Sequence, residues 1–120
     1  MRRPGVIAIV DDEEEVRLST RNLLRSYGVQ ALVFESAEAF LAGADLACIE
    51  GLVTDFRMPG MSGADLIEAV RARGASFPVV LISAHEVGPR ILARRDVAFL
   101  HKPVDPDDLM RRLGLLPPAP

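Results

Sequence analysis

At 120 residues the chain suits a single domain, long enough to bury one core and too short for a second domain of ordinary size. Apolar residues at 49 % and charged residues at 26 % give a globular balance rather than a disordered one, and a net charge of −3 argues against a nucleic-acid binder, which needs a basic face. No apolar run reaches the ~18 residues of a membrane span, Val6–Val10 is too short for a signal-peptide core, and Cys48, being alone, excludes an intrachain disulfide or a multi-Cys metal site and reads as a small buried hydrophobe; a soluble cytoplasmic protein is expected.

Val6–Val10 (VIAIV) is a continuous β-branched and apolar run, the pattern of a strand buried on both faces. Val16, Thr20, Leu23, Leu24 and Tyr27 then form one helical stripe, with Asp12 as the expected cap, Glu13, Glu14 and Glu15 suited to the positive N-terminal dipole, and Gly28 as the stop. Residues 29–34 read as a second strand, and Ser36 caps a short helix through Phe40 and Leu41. Residues 51–54 form a third strand running into Asp55, after which Met58, Pro59, Gly60, Met61, Ser62 and Gly63 make a loop and residues 64–73 a helix. Residues 78–82 are a fourth strand and 97–100 a fifth, while Asp105, Pro106, Asp107 and Asp108 open a last helix with cap, proline and acids in the expected order. Residues 115–120, rich in proline, read as a tail or the start of a linker, leaving 1–114 as the domain. The alternation predicts an α/β doubly wound, five-stranded parallel sheet.

In such sheets the functional crevice lies beyond the carboxyl ends of the strands. Asp11 and Asp12 follow the first strand, Asp55 the third, Ser83 and Ala84 the fourth, and Lys102 and Pro103 the fifth. Each has a plain structural reading, since acids after strands cap helices and a lysine before proline is usually solvated. Their joint placement is what that reading explains badly. Three carboxylates together repel unless a cation joins them, and hard oxygen donors without thiolates suit Mg2+. A carboxylate beside such an ion is a credible nucleophile towards a phosphoryl group, with a lysine and a hydroxyl to neutralise its oxygens.

At these residues the chain resembles the receiver domains of bacterial two-component response regulators. The match rests on Val10-Asp11-Asp12, the run from Asp55 to Gly63 (DFRMPGMSG), Ser83-Ala84 and Lys102-Pro103, and it is most like receivers with a C-terminal helix-turn-helix output domain. The resemblance implies a flavodoxin-like strand order 2-1-3-4-5 and Asp55 as phospho-acceptor. It implies that Asp12 and Asp55 bind Mg2+ by side chain, Arg57 by its backbone carbonyl and Asp11 through water. Lys102 would bridge to the phosphate across a cis peptide to Pro103, Ser83 and Phe99 would be the switch pair, and Ala84 would leave access to the phosphate. The implied partners are a histidine kinase or phosphotransfer protein and a downstream output domain or protein, with no direct nucleic-acid or membrane binding. The domain would catalyse only its own phosphorylation and dephosphorylation.

The segment between Ser83 and Lys102 is short for this family by about three residues, nearly one helical turn. It contains Gly88 and Pro89, so the fourth helix is expected to be short or irregular. Arg90, Arg94 and Arg95 make that region basic, a solvated face with a partner-docking patch as the alternative. His85 and His101 flank the site without metal-ligand spacing and read as surface residues, with His85 placed to tune loss of the phosphate. Met58 and Met61 are expected to pack. Two other functions stand beside the switch: a receiver-like module that signals without phosphate, and a small Mg2+-dependent phosphohydrolase. The phosphohydrolase reading is disfavoured because Asp11 is followed two positions on by Glu13 rather than by a second Asp.

Overall fold

The computed structural model describes residues 6–84 and 87–115; the chain's first residues, His85 and the tail beyond Leu115 lie outside the described residues. The chain alternates β1 (Val6–Val10), α1 (Glu14–Ser26), β2 (Ala31–Phe34), α2 (Ala37–Gly43), β3 (Ile49–Asp55), α3 (Gly63–Ala72), β4 (Val79–Ser83), α4 (Pro89–Leu92), β5 (Ala98–His101) and α5 (Pro106–Arg112). The strands pair in parallel in the order β2-β1-β3-β4-β5. This is the doubly wound architecture expected from the alternation.

Both faces of the sheet are buried, which is why its strands read as unbroken apolar runs. Side chains alternate between two cores: Ala8, Val10, Leu52, Val79 and Leu81 meet Phe40 of α2 and Leu66, Ile67 and Val70 of α3. Ile7, Ile9, Val53, Val80, Ile82 and Leu100 meet Leu24 of α1 and Leu109 and Met110 of α5. Phe40 is fully buried and meets Phe34 edge-on, ring centroids 5.1 Å apart. Met58 and Met61 pack against the first of these cores, as their place in the loop suggested.

Where the element ends differ from the sequence reading, a hydrogen bond gives the reason. Gly28 takes φ +77° at the end of α1, and the Val29 N–H donates to the Leu24 carbonyl. That closure uses Val29 in the helix stop, so β2 begins two residues later than expected. A single 3₁₀ turn over Leu46–Cys48, capped by the Asp45 carboxylate accepting from the Ala47 N–H, leads directly into β3, which therefore starts at Ile49. Cys48 in that turn is exposed rather than buried, its thiol 3.4 Å from Asp45 Oδ2. Ser36 caps α2, Ser62 and Asp65 form a reciprocal capping box on α3, and Asp105 caps α5.

Helix α4 is a single turn of four residues begun by Gly88 and Pro89. A charge clamp holds the segment after it. Arg71, at the end of α3, donates to the carbonyls of Ala75 (3.1 Å), Phe77 (2.8 Å) and Asp96 (2.8 Å), and to Asp96 Oδ2 (3.0 Å). Arg94 holds the same carboxylate from the other side at 2.9 Å, so Arg94 is engaged while Arg95 is exposed.

Candidate functional site

The register fixes which strand ends meet. Val10 pairs with Thr54, Asp55 with Ile82, and Ser83 with His101, so the residues at the carboxyl ends of β1, β3, β4 and β5 lie along one edge. Asp11, Asp12 and Asp55 each bring a carboxylate oxygen to a common point, all within 4.8 Å of one another. Asp11 and Asp55 are buried, at 4 % and 8 % exposure, whereas Asp12 is open to solvent. Lys102 Nζ stands 3.5 Å from Asp55 Oδ1 and 3.9 Å from Asp11 Oδ2.

The local backbone aims these groups. The expectation that Asp12 caps α1 is corrected: Glu13 is the capping residue, without a side-chain cap, and Asp11 Oδ1 accepts from the Glu13 N–H at 2.9 Å. This turn leaves the Asp12 carboxylate outside the helix and facing the cluster. Arg17 donates to the Asp11 carbonyl at 2.8 Å. Asp55 Oδ1 accepts from the Phe56 N–H at 3.0 Å, and the Thr54 hydroxyl donates to the Asp55 carbonyl at 3.0 Å. Gly63 is required by close approach: a Cβ there would collide with the Asp55 carbonyl and come within 2.7 Å of Leu81 Cδ1. The loop closes through the Gly63 N–H on the Phe56 carbonyl at 2.8 Å. Lys102 is set by its own N–H donating to the Ser83 carbonyl at 2.9 Å, and the Lys102–Pro103 peptide is cis.

Electrostatically the cluster is short of positive charge. Burial pushes the Asp11 carboxyl up to about 6, with the Asp55 and Asp12 charges adding to the rise and the Glu13 N–H and Lys102 opposing it. Burial likewise raises Asp55 above the usual carboxylate range, against the pull of Lys102 and the Phe56 N–H. One ammonium faces three carboxylates, and two of those three are buried. An all-oxygen donor set with excess negative charge fits a hard divalent cation and gives no soft ligand to a thiophilic one.

Ser83 is buried at the end of β4, while Ala84 beyond it and Arg57 after Asp55 are exposed. Phe99 is half-buried on β5. The sequence reading left His101 as a surface residue; it is exposed, but its ring meets Phe99 edge to face with centroids 4.8 Å apart. Thr54 and Arg17 also support the site without having been singled out, and Gly63, read only as the last residue of the loop after Asp55, supports it through close approach. A groove of about 810 Å³ leads from Asp11, Asp55 and Lys102 between Val16, Thr20 and Leu23 of α1 and Val104 and Leu109 on the α5 side.

Residues 7–114 match the family described as the response regulator receiver domain. Similar proteins include the transcriptional regulatory protein TdiR of Thauera aromatica, 37 % identical over 110 residues, which cover 88 % of this chain and 48 % of that protein. The transcriptional regulatory protein FixJ of Azorhizobium caulinodans is 39 % identical over 105 residues, 82 % of this chain and 48 % of that one. Among solved structures, the response regulator StyR superposes with a TM-score of 0.84 at 36 % identity, over 93 % of this chain and 58 % of that chain. The chain spans about half the length of the curated relatives it matches. Among the described residues no helix is long and apolar enough to cross a membrane.

Proposed function

The chain belongs to the response regulator receiver domain family, and from that membership we propose that it is a phosphorylation-dependent signalling switch, operating in the cytoplasm, whose Asp55 accepts a phosphoryl group from the phosphohistidine of a partner kinase or phosphotransfer protein. The observation that carries this reading is the meeting of Asp11, Asp12 and Asp55 within 4.8 Å, with Lys102 3.5 Å from Asp55. Asp11, Asp12, Asp55 and the Arg57 backbone carbonyl would hold Mg2+. When bound, that ion would neutralise charge on the transferring phosphoryl oxygens.

In the transfer a carboxylate oxygen of Asp55 forms a bond to phosphorus as the P–N bond to the donor imidazole breaks. The electron pair of that bond stays on the imidazole nitrogen, and the product on this chain is a mixed carboxylic–phosphoric anhydride. Lys102 offers a fixed positive charge to a phosphoryl oxygen and Ser83 a hydroxyl donor, so both stabilise charge where it gathers. The small side chain of Ala84 leaves the phosphate open to donor and to water. Binding of Ser83 to the phosphoryl group, with Phe99 following it inward, would bias a two-state equilibrium and alter the surface presented to the output partner. Catalysis is confined to gain and loss of the chain's own phosphoryl group.

The half-length match to the transcriptional regulators supports a further proposal: residues 1–114 act as the receiver, 115–120 are a tail or the start of a linker, and any nucleic acid is contacted by an output domain or protein rather than by this domain. A second reading, a receiver-like module that signals through protein contacts without phosphate, draws support from the reduction of α4 to four residues. The two are separated by borohydride trapping after incubation with Mg2+ and acetyl phosphate. Reduction of an acyl phosphate at Asp55 yields homoserine at that position in the peptide map. Homoserine elsewhere, or none, would contradict the switch.

A further inference from the structure

Resting on the proposed roles of Ser83 and Phe99, we propose that His101 is a positioning residue for the switch: its ring holds Phe99 in the unphosphorylated position and so sets how readily the domain converts. On β5, Leu81 is the register partner of Phe99 and Ser83 that of His101. Alternation along the strand sends Phe99 and His101 to the same face of the sheet, the one where Leu81 joins the core beneath α2 and α3. Phe99 is half-buried there, and the two rings meet at 4.8 Å with an interplanar angle of 82°.

Helix α4 is one turn, and among the described residues before β5 Val87, Ile91 and Val97 join the core on that face. One flank of the Phe99 ring meets the His101 ring. His101 is the register partner of Ser83, so the ring contact lies at the strand end towards which Phe99 would follow the Ser83 hydroxyl, and that movement would rearrange it. An aromatic pair in this geometry shifts an equilibrium by about 2- to 10-fold, enough to move the midpoint of a switch without deciding which states exist. His101 is exposed, so replacing it leaves the core untouched.

The test uses the full chain with Mg2+ and beryllofluoride as the phosphoryl analogue, with adduct formation read by 19F NMR and the Phe99 ring by its own resonances. His101→Ala is expected to lower the beryllofluoride concentration at half-saturation by about 2- to 10-fold and to move the Phe99 signals of the beryllofluoride-free protein towards their adduct positions. His101→Phe, which keeps an aromatic edge, is expected to restore wild-type behaviour on both readouts. Wild-type values for His101→Ala, or a His101→Phe variant that behaves like His101→Ala, would overturn the inference while leaving the acceptor chemistry standing. A wild-type chain that forms no adduct would overturn both.

Discussion

Asp11 shows how a single residue can serve the site at the expense of the fold. Its carboxyl titrates near 6 in the folded chain against an ordinary 3.8, chiefly through burial. The folded state thus binds the proton more tightly than the unfolded state, and the metal-free domain gains stability as pH falls from above 6 towards 4. Urea unfolding without divalent ions is expected to give a higher midpoint at pH 5 than at pH 7.5, and Asp11→Asn to stabilise the metal-free protein at pH 7.5 by on the order of 1–3 kcal/mol. The same proton competes with a cation, so Mg2+ affinity is expected to weaken below about pH 6; isothermal titration at pH 5 and 7.5 checks this, and a tighter site at pH 5 would contradict it. Gly63 is the opposite case, a residue with no charge and no freedom. Gly63→Ala forces a methyl group into the Asp55 carbonyl, and a loss of about 1–3 kcal/mol is expected in thermal unfolding, together with slower phosphorylation. The site was legible in the sequence because three acids, a serine and a lysine stand together at four strand ends, a joint placement that helix capping and solvation explain badly. The exchange of roles between Asp12 and Glu13 was not, because two adjacent acids are equally good caps until the Asp11 turn is seen.

Among the elements, α4 stands out as a single turn of four residues. Its shortness was readable from Gly88 and Pro89, but the clamp that holds the segment after it was not. Arg71 lies 25 positions from Asp96, and nothing in local spacing links them. The guanidinium fork gathers three carbonyls and a carboxylate, and Arg71→Met would leave those acceptors unsatisfied or wet, an expected cost of about 1–3 kcal/mol. Arg71→Lys should recover little of it, because one ammonium cannot reproduce the planar fork. Amide hydrogen exchange in residues 93–98 is the direct readout, with faster exchange in both variants expected and unchanged exchange contradicting the clamp. The strands were legible because burial on both faces leaves apolar runs; β2 starts late because Val29 is held in the α1 stop, and β3 starts early, at Ile49, directly after a 3₁₀ turn. Cys48 was misread for the same reason, since the turn that exposes it has no apolar period.

For the whole molecule, one sheet buried on both faces gives a rigid platform whose strand ends carry a strained set of charges. Those charges have little reason to be there unless something binds them. A cation that binds only the folded state stabilises it by mass action, about 2.7 kcal/mol at one hundred times its Kd, so millimolar Mg2+ is expected to raise the unfolding temperature and a chelator to reverse the rise. The same addition should do nothing for a chain in which Asp12 and Asp55 are both replaced by Asn. The order of the strands followed from the family resemblance and the observed sheet agrees with it. The central claim is that Asp55 takes a phosphoryl group, and intact-mass spectrometry after incubation with Mg2+ and acetyl phosphate tests it most directly. Wild type is expected to gain a labile mass of about 80 Da, as one acyl phosphate requires, and Asp55→Ala to gain none. No gain in wild type with Mg2+ bound, or an equal gain in Asp55→Ala, would contradict it.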